Sequence, residues 1–282
     1  SNNIATLYGG AIRADALTSN LTSLEFTSNS GSKGGAIYVT NATSLTGKHD
    51  FTGNYASLNG GAVHSTNLTL TSTAGSESVF DNNDAAQYGG AVYAGYNFTV
   101  SYAEFKNSDV GFNGGAVYSD SYATVANSVF RYNTSDGKGA GLAVRGKFDI
   151  DDSEFEKNYA YYGGAVASTS GFAKSYVDDS TFSTNKATVG DGGAIYTRSL
   201  DVEITGSTFT SNYSKGSGGA VYGGSDVVIS SSSFTTNQSK EYGGAVYSSN
   251  TTQIAFTYFK SNSSTRNGGA ISSWSTTTIN ES

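Results

Sequence analysis

A Gly-Gly-Ala-Ile/Val-Tyr stretch that returns about every 25 residues constrains this chain more than any other feature. It reads Gly34-Gly35-Ala36-Ile37-Tyr38, Gly114-Gly115-Ala116-Val117-Tyr118 and Gly243-Gly244-Ala245-Val246-Tyr247. Eleven copies begin at Gly9, Gly34, Gly60, Gly89, Gly114, Gly139, Gly163, Gly192, Gly218, Gly243 and Gly268. Their spacings are 25, 26, 29, 25, 25, 24, 29, 26, 25 and 25 residues. A period of this size held over a whole chain belongs to a solenoid, in which each repeat packs on its neighbours. Residues 1–282 therefore read as a single repeat array rather than two ordinary domains.

A second anchor, Phe-x-x-Asn, precedes the glycines by eight to ten residues, as in Phe51/Asn54, Phe130/Asn133, Phe155/Asn158 and Phe209/Asn212. It slips once, where Phe105 is followed by Asn107 and Ser108, which reads as a local bulge. A third anchor is an apolar residue five before the Phe: Leu21, Val100, Val125, Ile150, Val177, Ile204, Ile229 and Ile254. Alternation over four or five residues is strand chemistry, and Gly, Ser, Asn and Asp punctuate between the runs. Three short strands in about 25 residues make one rung of an all-β, single-stranded parallel β-helix of about eleven rungs. Like residues then stack at about 4.8 Å. The Ile/Val and Phe residues are expected to fill the interior, and the Asn residues to form an amide ladder at a corner. The Ala after the glycines reads as a cramped site whose direction stays open. The spacings of 29 place longer excursions near Thr71 to Ser78 and Ser168 to Ser175.

Composition narrows the class. There is no Cys, hence no disulfide frame or thiolate metal site, and no Pro, which suits a chain whose N–H groups join ladders. A net charge of −7 with scattered Lys and Arg leaves no nucleic-acid footprint. No run approaches the roughly 18 apolar residues of a transmembrane segment. The absence of Met implies a processed or excerpted chain, with any signal peptide outside it. No amphipathic cap is visible at Ser1-Asn2-Asn3 or at Thr276 to Ser282, so other copies of the chain are candidate partners through open β-helix ends.

The pairing of Gly-Gly-Ala-Ile/Leu/Val with Phe-x-x-Asn resembles the repeats of the chlamydial polymorphic outer-membrane proteins and related adhesin-like proteins. The resemblance spans the whole chain. It implies a right-handed β-helix at a cell surface, often an autotransporter passenger used in adhesion, and so an extracellular or cell-surface location. Unlike the chlamydial members, the chain lacks Cys, Pro and a visible β-barrel translocator.

Three groups of residues could carry chemistry. Tyr196, Tyr222 and Tyr247 fall on consecutive rungs and should form an outward strip. The strip could be a platform for host-cell or matrix glycans or proteins, or simply like-on-like strand pairing. Counting back from Phe155 and Phe182 puts Asp151 over Asp178 and Asp152 over Asp179. Stacked carboxylates repel, and Ca²⁺ would relieve that; counter-ions or altered protonation are the plainer alternative. Asn20, Asn41, Asn67, Asn97 and Asn250 are N-glycosylation sequons outside the ladder; Asn133, Asn212, Asn237 and Asn262 are sequons within it. His49 and His64 have no metal-ligand spacing and read as surface residues, and the serines lack triad partners. The sequence thus favours a non-enzymatic extracellular structural or adhesive rod, with end-to-end stacking into fibres as a variant of that reading. The alternative is a polysaccharide-binding or polysaccharide-cleaving β-helix. An ice-binding face ranks last, because Thr208, Thr210, Thr235 and Thr236 do not recur at one offset over many rungs.

Overall fold

The computed structural model describes residues 2–171 and 173–280. Among them there is no helix, and so none long and apolar enough to cross a membrane. Each turn of chain lays short strands in parallel on those of the next turn. Ile195–Thr197 pairs with Val221–Gly223, Val202–Thr205 with Val227–Ser230, and Thr208–Thr210 with Ser233–Thr235. These are the three expected strand types. A fourth follows the Asn, two residues long from Asp84–Ala85 onward, as in Tyr213–Ser214 on Gln238–Ser239. It points one small side chain inward (Ala160, Ala187, Ser214), too short a pattern to show alternation.

Three sheets result, of 20, 10 and 10 strands. The first two strand types share the largest sheet because two continuous strands pair with both. Those strands are Val63–Thr71 and Val92–Ser101.

The interior is a set of columns. Ten Phe side chains stack in register from Phe26 to Phe259, with ring centroids 4.6–5.1 Å apart and planes within 15°. Burying one such side chain stabilises by about 1.5–3 kcal/mol. The Ala after each glycine pair points inward and joins this core. Where Gly141 replaces it, an added Cβ would sit 3.1 Å from the Phe155 ring, so the Ala column is sized by the Phe column.

Three corners close each turn, each with a left-handed residue. At the glycine corner the first Gly has φ of 55–74°. A Cβ there would lie 2.0–2.3 Å from a carbonyl oxygen three residues on, so only glycine fits. The other two corners, before the Phe strand and after it, also take residues other than glycine, and the second faces open solvent. At Gly53 a Cβ would meet only the Ser28 hydroxyl at 3.6 Å, and Asn82, Tyr132, Lys157 and Thr184 occupy the same place in other turns.

An inward polar residue follows each of those two corners. Along the Asn ladder, Asn158 Nδ2 donates to Asn185 Oδ1 at 3.1 Å and to the Phe130 carbonyl at 2.8 Å, while the Asn158 N–H also donates to Asn185 Oδ1. Every polar atom of the amide is used. A second ladder runs through Ser128, Ser153, Ser180, Ser207 and Ser232. Each backbone N–H donates to the next hydroxyl, and each hydroxyl donates to a carbonyl two residues back.

Four expectations need correcting. Ser108 is no bulge: Phe105 stays in register with Phe130, and Ser108 takes the Asn place, its N–H donating to Asn133 Oδ1. Leu21 is 57% exposed; its turn instead puts Ser19 in that column, opposite Leu45. His49 is a core residue, standing in the serine column with its N–H donating to Ser78 Oγ. The second 29-residue spacing is shared between Ser168–Ser175 and the turn at Val189, which is 49% exposed. Phe172, within the first of these, lies outside the described residues, as do Ser1, Glu281 and Ser282.

Candidate functional site

The acidic corner arises where the strands Phe148–Asp151 and Ser175–Asp178 end against the serine corner. Asp151 pairs in register with Asp178. Asp152 and Asp179 are the left-handed residues of that corner, with φ of 44° and 43°, and this turns both side chains outward. The carboxylates of Asp151, Asp152 and Asp179 approach within 4.8 Å of one another; Asp178 is not in that group. Burial first, then the neighbouring carboxylates, raise the affinity of Asp151 and Asp178 for protons. The donor set is all oxygen, which suits a hard cation such as Ca²⁺ and not zinc. Asp151, Asp152 and Asp179 would be its protein ligands.

The same corner borders a groove of about 560 Å³ lined by Glu77, Tyr102, Asn127, Asp152, Glu154 and Asp179. One wall is the excursion before Ser78, a tight reversal in which Thr73 bridges Ser76 antiparallel and Glu77 accepts from the Gly75 N–H. Sequence reading located the excursion but not the groove, because Tyr102 and Glu77 reach it from other turns.

Tyr196, Tyr222 and Tyr247 stack on the outer face at 5.2 Å spacing, half-buried. Burial raises the Tyr196 hydroxyl to about 12 and pushes Tyr247 up as well. A second run, Tyr38–His64–Tyr93–Tyr118, continues the column at 4.6–5.5 Å, and Tyr8 stacks on Tyr38 at 4.5 Å from outside the register, in which Arg13 pairs with Tyr38. Ala143 and Ala167 interrupt it, and Lys138 lies 5.9 and 5.6 Å from the Tyr162 and Tyr196 rings beside that gap. His64 thus stands at a tyrosine position, a role the sequence shows once the register is counted.

Of the sequons, Asn20, Asn41 and Asn250 are exposed and Asn67 and Asn97 half-buried, the last two in register on adjacent turns. Asn133, Asn212 and Asn237 are buried in the amide ladder and Asn262 caps it, their amides engaged. The serine ladder was legible as Ser-x-Phe, in Ser128-Val129-Phe130 and its successors, but was not singled out.

Thr208 and Thr210 stack in register on Ser233 and Thr235, and on Thr181 and Ser183 below. The hydroxyls keep this offset over three turns only, flanked by Glu154 and Tyr258 in one column and Glu156 and Lys260 in the other.

With this geometry in place, comparison with known families is direct. The model of the right-handed β-helix region matches residues 113–282. The chain belongs to the right-handed β-helix family. This right-handed β-helix also matches the Chlamydia polymorphic membrane protein repeat at residues 23–40 and 77–95. The first segment carries Phe26-x-x-Asn29 and Gly34-Gly35-Ala36-Ile37, the second Phe80-x-x-Asn83 and Gly89-Gly90-Ala91-Val92. No curated protein and no solved structure matches the chain.

Proposed function

We propose that this right-handed β-helix is a surface-associated, adhesin-like protein that works as a rigid, non-catalytic rod. The observation that carries the reading is the pairing of polymorphic membrane protein repeats with an array whose corners are nearly all minimal. Such an array invests its sequence in columns and ladders rather than in loops able to wall a deep active site. Its contact surface would be the tyrosine column, where half-buried rings can cover a sugar face or a partner's apolar patch. A finer form of the reading is end-to-end contact between copies.

Binding of the purified, labelled protein to intact cells and to immobilised matrix glycans tests the reading. Tyr222→Ser with Tyr247→Ser should reduce that binding without shifting the melting temperature by more than a few degrees. No binding to either support would remove the adhesive role. Electron microscopy of the same preparation distinguishes single rods from fibres.

The second reading, a polysaccharide-cleaving β-helix, is favoured by the carboxylate-lined groove. Turnover of acidic polysaccharides that disappears in an Asp152→Asn, Asp179→Asn double variant would establish it in place of the first.

A further inference from the structure

The chain has two histidines, and they lie on consecutive turns. His49 occupies the serine column, between Leu24 in the turn below and Ser78 above. Its residue accessibility is zero, and neither ring nitrogen has a hydrogen-bond partner. Two further hydroxyls crowd that corner: Ser72 and Ser78 bond each other at 2.7 Å, and both aim at the Gly47 carbonyl. His64 occupies the tyrosine column, its ring 5.0 Å from Tyr38 and 4.6 Å from Tyr93, with Nδ1 buried and unpartnered.

Neither environment accepts a cation. An imidazolium gains a second N–H and a charge, both of which need solvation or an acceptor. Around His49 the Thr46 carbonyl and the Asp50 carboxylate favour a cation, but burial outweighs both: neither ring nitrogen has a hydrogen bond, and Asp50 is itself engaged by Lys48 at 3.7 Å. Around His64 the charged neighbour is Lys33, which repels a second positive charge.

We propose that the second and third turns of this β-helix are an acid-labile segment, which opens when His49 and His64 are protonated while the later turns stay closed. The direction follows from linkage. Burial holds both imidazoles below their ordinary proton affinity, His64 down to about 4. A group held down in the folded state contributes stability that is complete above the unfolded value near 6.5 and is lost as pH falls from there towards the folded one. In a stack where each turn contacts only its neighbours, the loss stays local. The device is independent of whether the rod is adhesive.

The repeat supplies the control variants, since Ser is the usual residue in the first column and Tyr in the second. Native-state hydrogen exchange at pH 7.5 and 5.0, corrected for intrinsic rates, reads the effect. In the wild-type chain, amides of residues 37–71 should lose protection about tenfold or more at pH 5.0, while those of residues 195–255 should not. In the His49→Ser, His64→Tyr double variant the acid-specific loss should disappear. Equal protection at both pH values in the wild type, or the same loss in the double variant, overturns the proposal. NMR titration of the two imidazoles in the wild-type chain gives a second reading that needs no variant. Either ring titrating at or above 6.5 with its neighbours' shifts unchanged overturns it as well.

Discussion

At the scale of single residues, two of the three corners pair a left-handed residue with an inward polar one, and what surrounds the left-handed residue decides its identity. Gly192→Ala forces a Cβ to within 2.2 Å of the Ile195 carbonyl oxygen. It should cost more than about 2 kcal/mol, whereas Gly53→Asn, at an open corner, should be neutral or slightly stabilising. Denaturant midpoints of the two variants check this. Ser108 is the one weak link of the Asn ladder: it accepts nothing from Asn83, while Asn54 bonds Asn83 Oδ1 twice. Ser108→Asn should restore the link and raise stability by about 1 kcal/mol. No change in the midpoint would mean that the ladder amides contribute nothing net. At the acidic corner the sign is opposite to that of the histidines. Asp151 and Asp178 are held above their ordinary proton affinity, so stability is complete below the usual carboxylate range and declines as pH rises through it. Asp151→Asn should therefore raise the melting temperature at pH 7 and leave it unchanged at pH 3. Millimolar Ca²⁺ should produce a similar rise in the wild type only; without one, the corner is a solvated turn.

At the scale of the element, strands mostly of two to five residues hold because their like neighbours hold. The Phe column shows this best, its rings nearly coplanar from Phe155 to Phe234, with planes within 3°. Phe182→Ala opens a gap with a ring above and below it and should cost about 3–5 kcal/mol. Phe259→Ala, in the half-buried last ring of the column, should cost clearly less. Comparison of the two melting curves separates stacking within a column from simple burial. These strand types were legible from Phe-x-x-Asn and the aliphatic position before it, because a strand buried on one side imposes period two. The two-residue strand after the Asn was not, since one inward side chain has no period. Nor was Leu21, whose correct spacing from Phe26 concealed that its turn bends differently.

At the scale of the whole molecule, stability is close to a sum over turns and their interfaces. Eleven rungs at the strand spacing give a rod about 50 Å long. Small-angle scattering should return that length with a near-constant cross-section; a globular profile would contradict the stacking. The period alone determined this much. Identical residues 25 apart can satisfy strand pairing, core filling and the amide ladder at once only by lying on top of one another. Period and motif therefore carried the fold, the family and the columns. Tertiary structure decided which way the corners face. Asp179 rather than Asp178 joins Asp151 and Asp152, His49 is buried, and Glu77 reaches the groove over Asp152. Left-handed corners at Asp152, Tyr132 or Lys157 carry no signature in residue type, and the side-chain direction they set follows only from how each turn rests on the one beneath it.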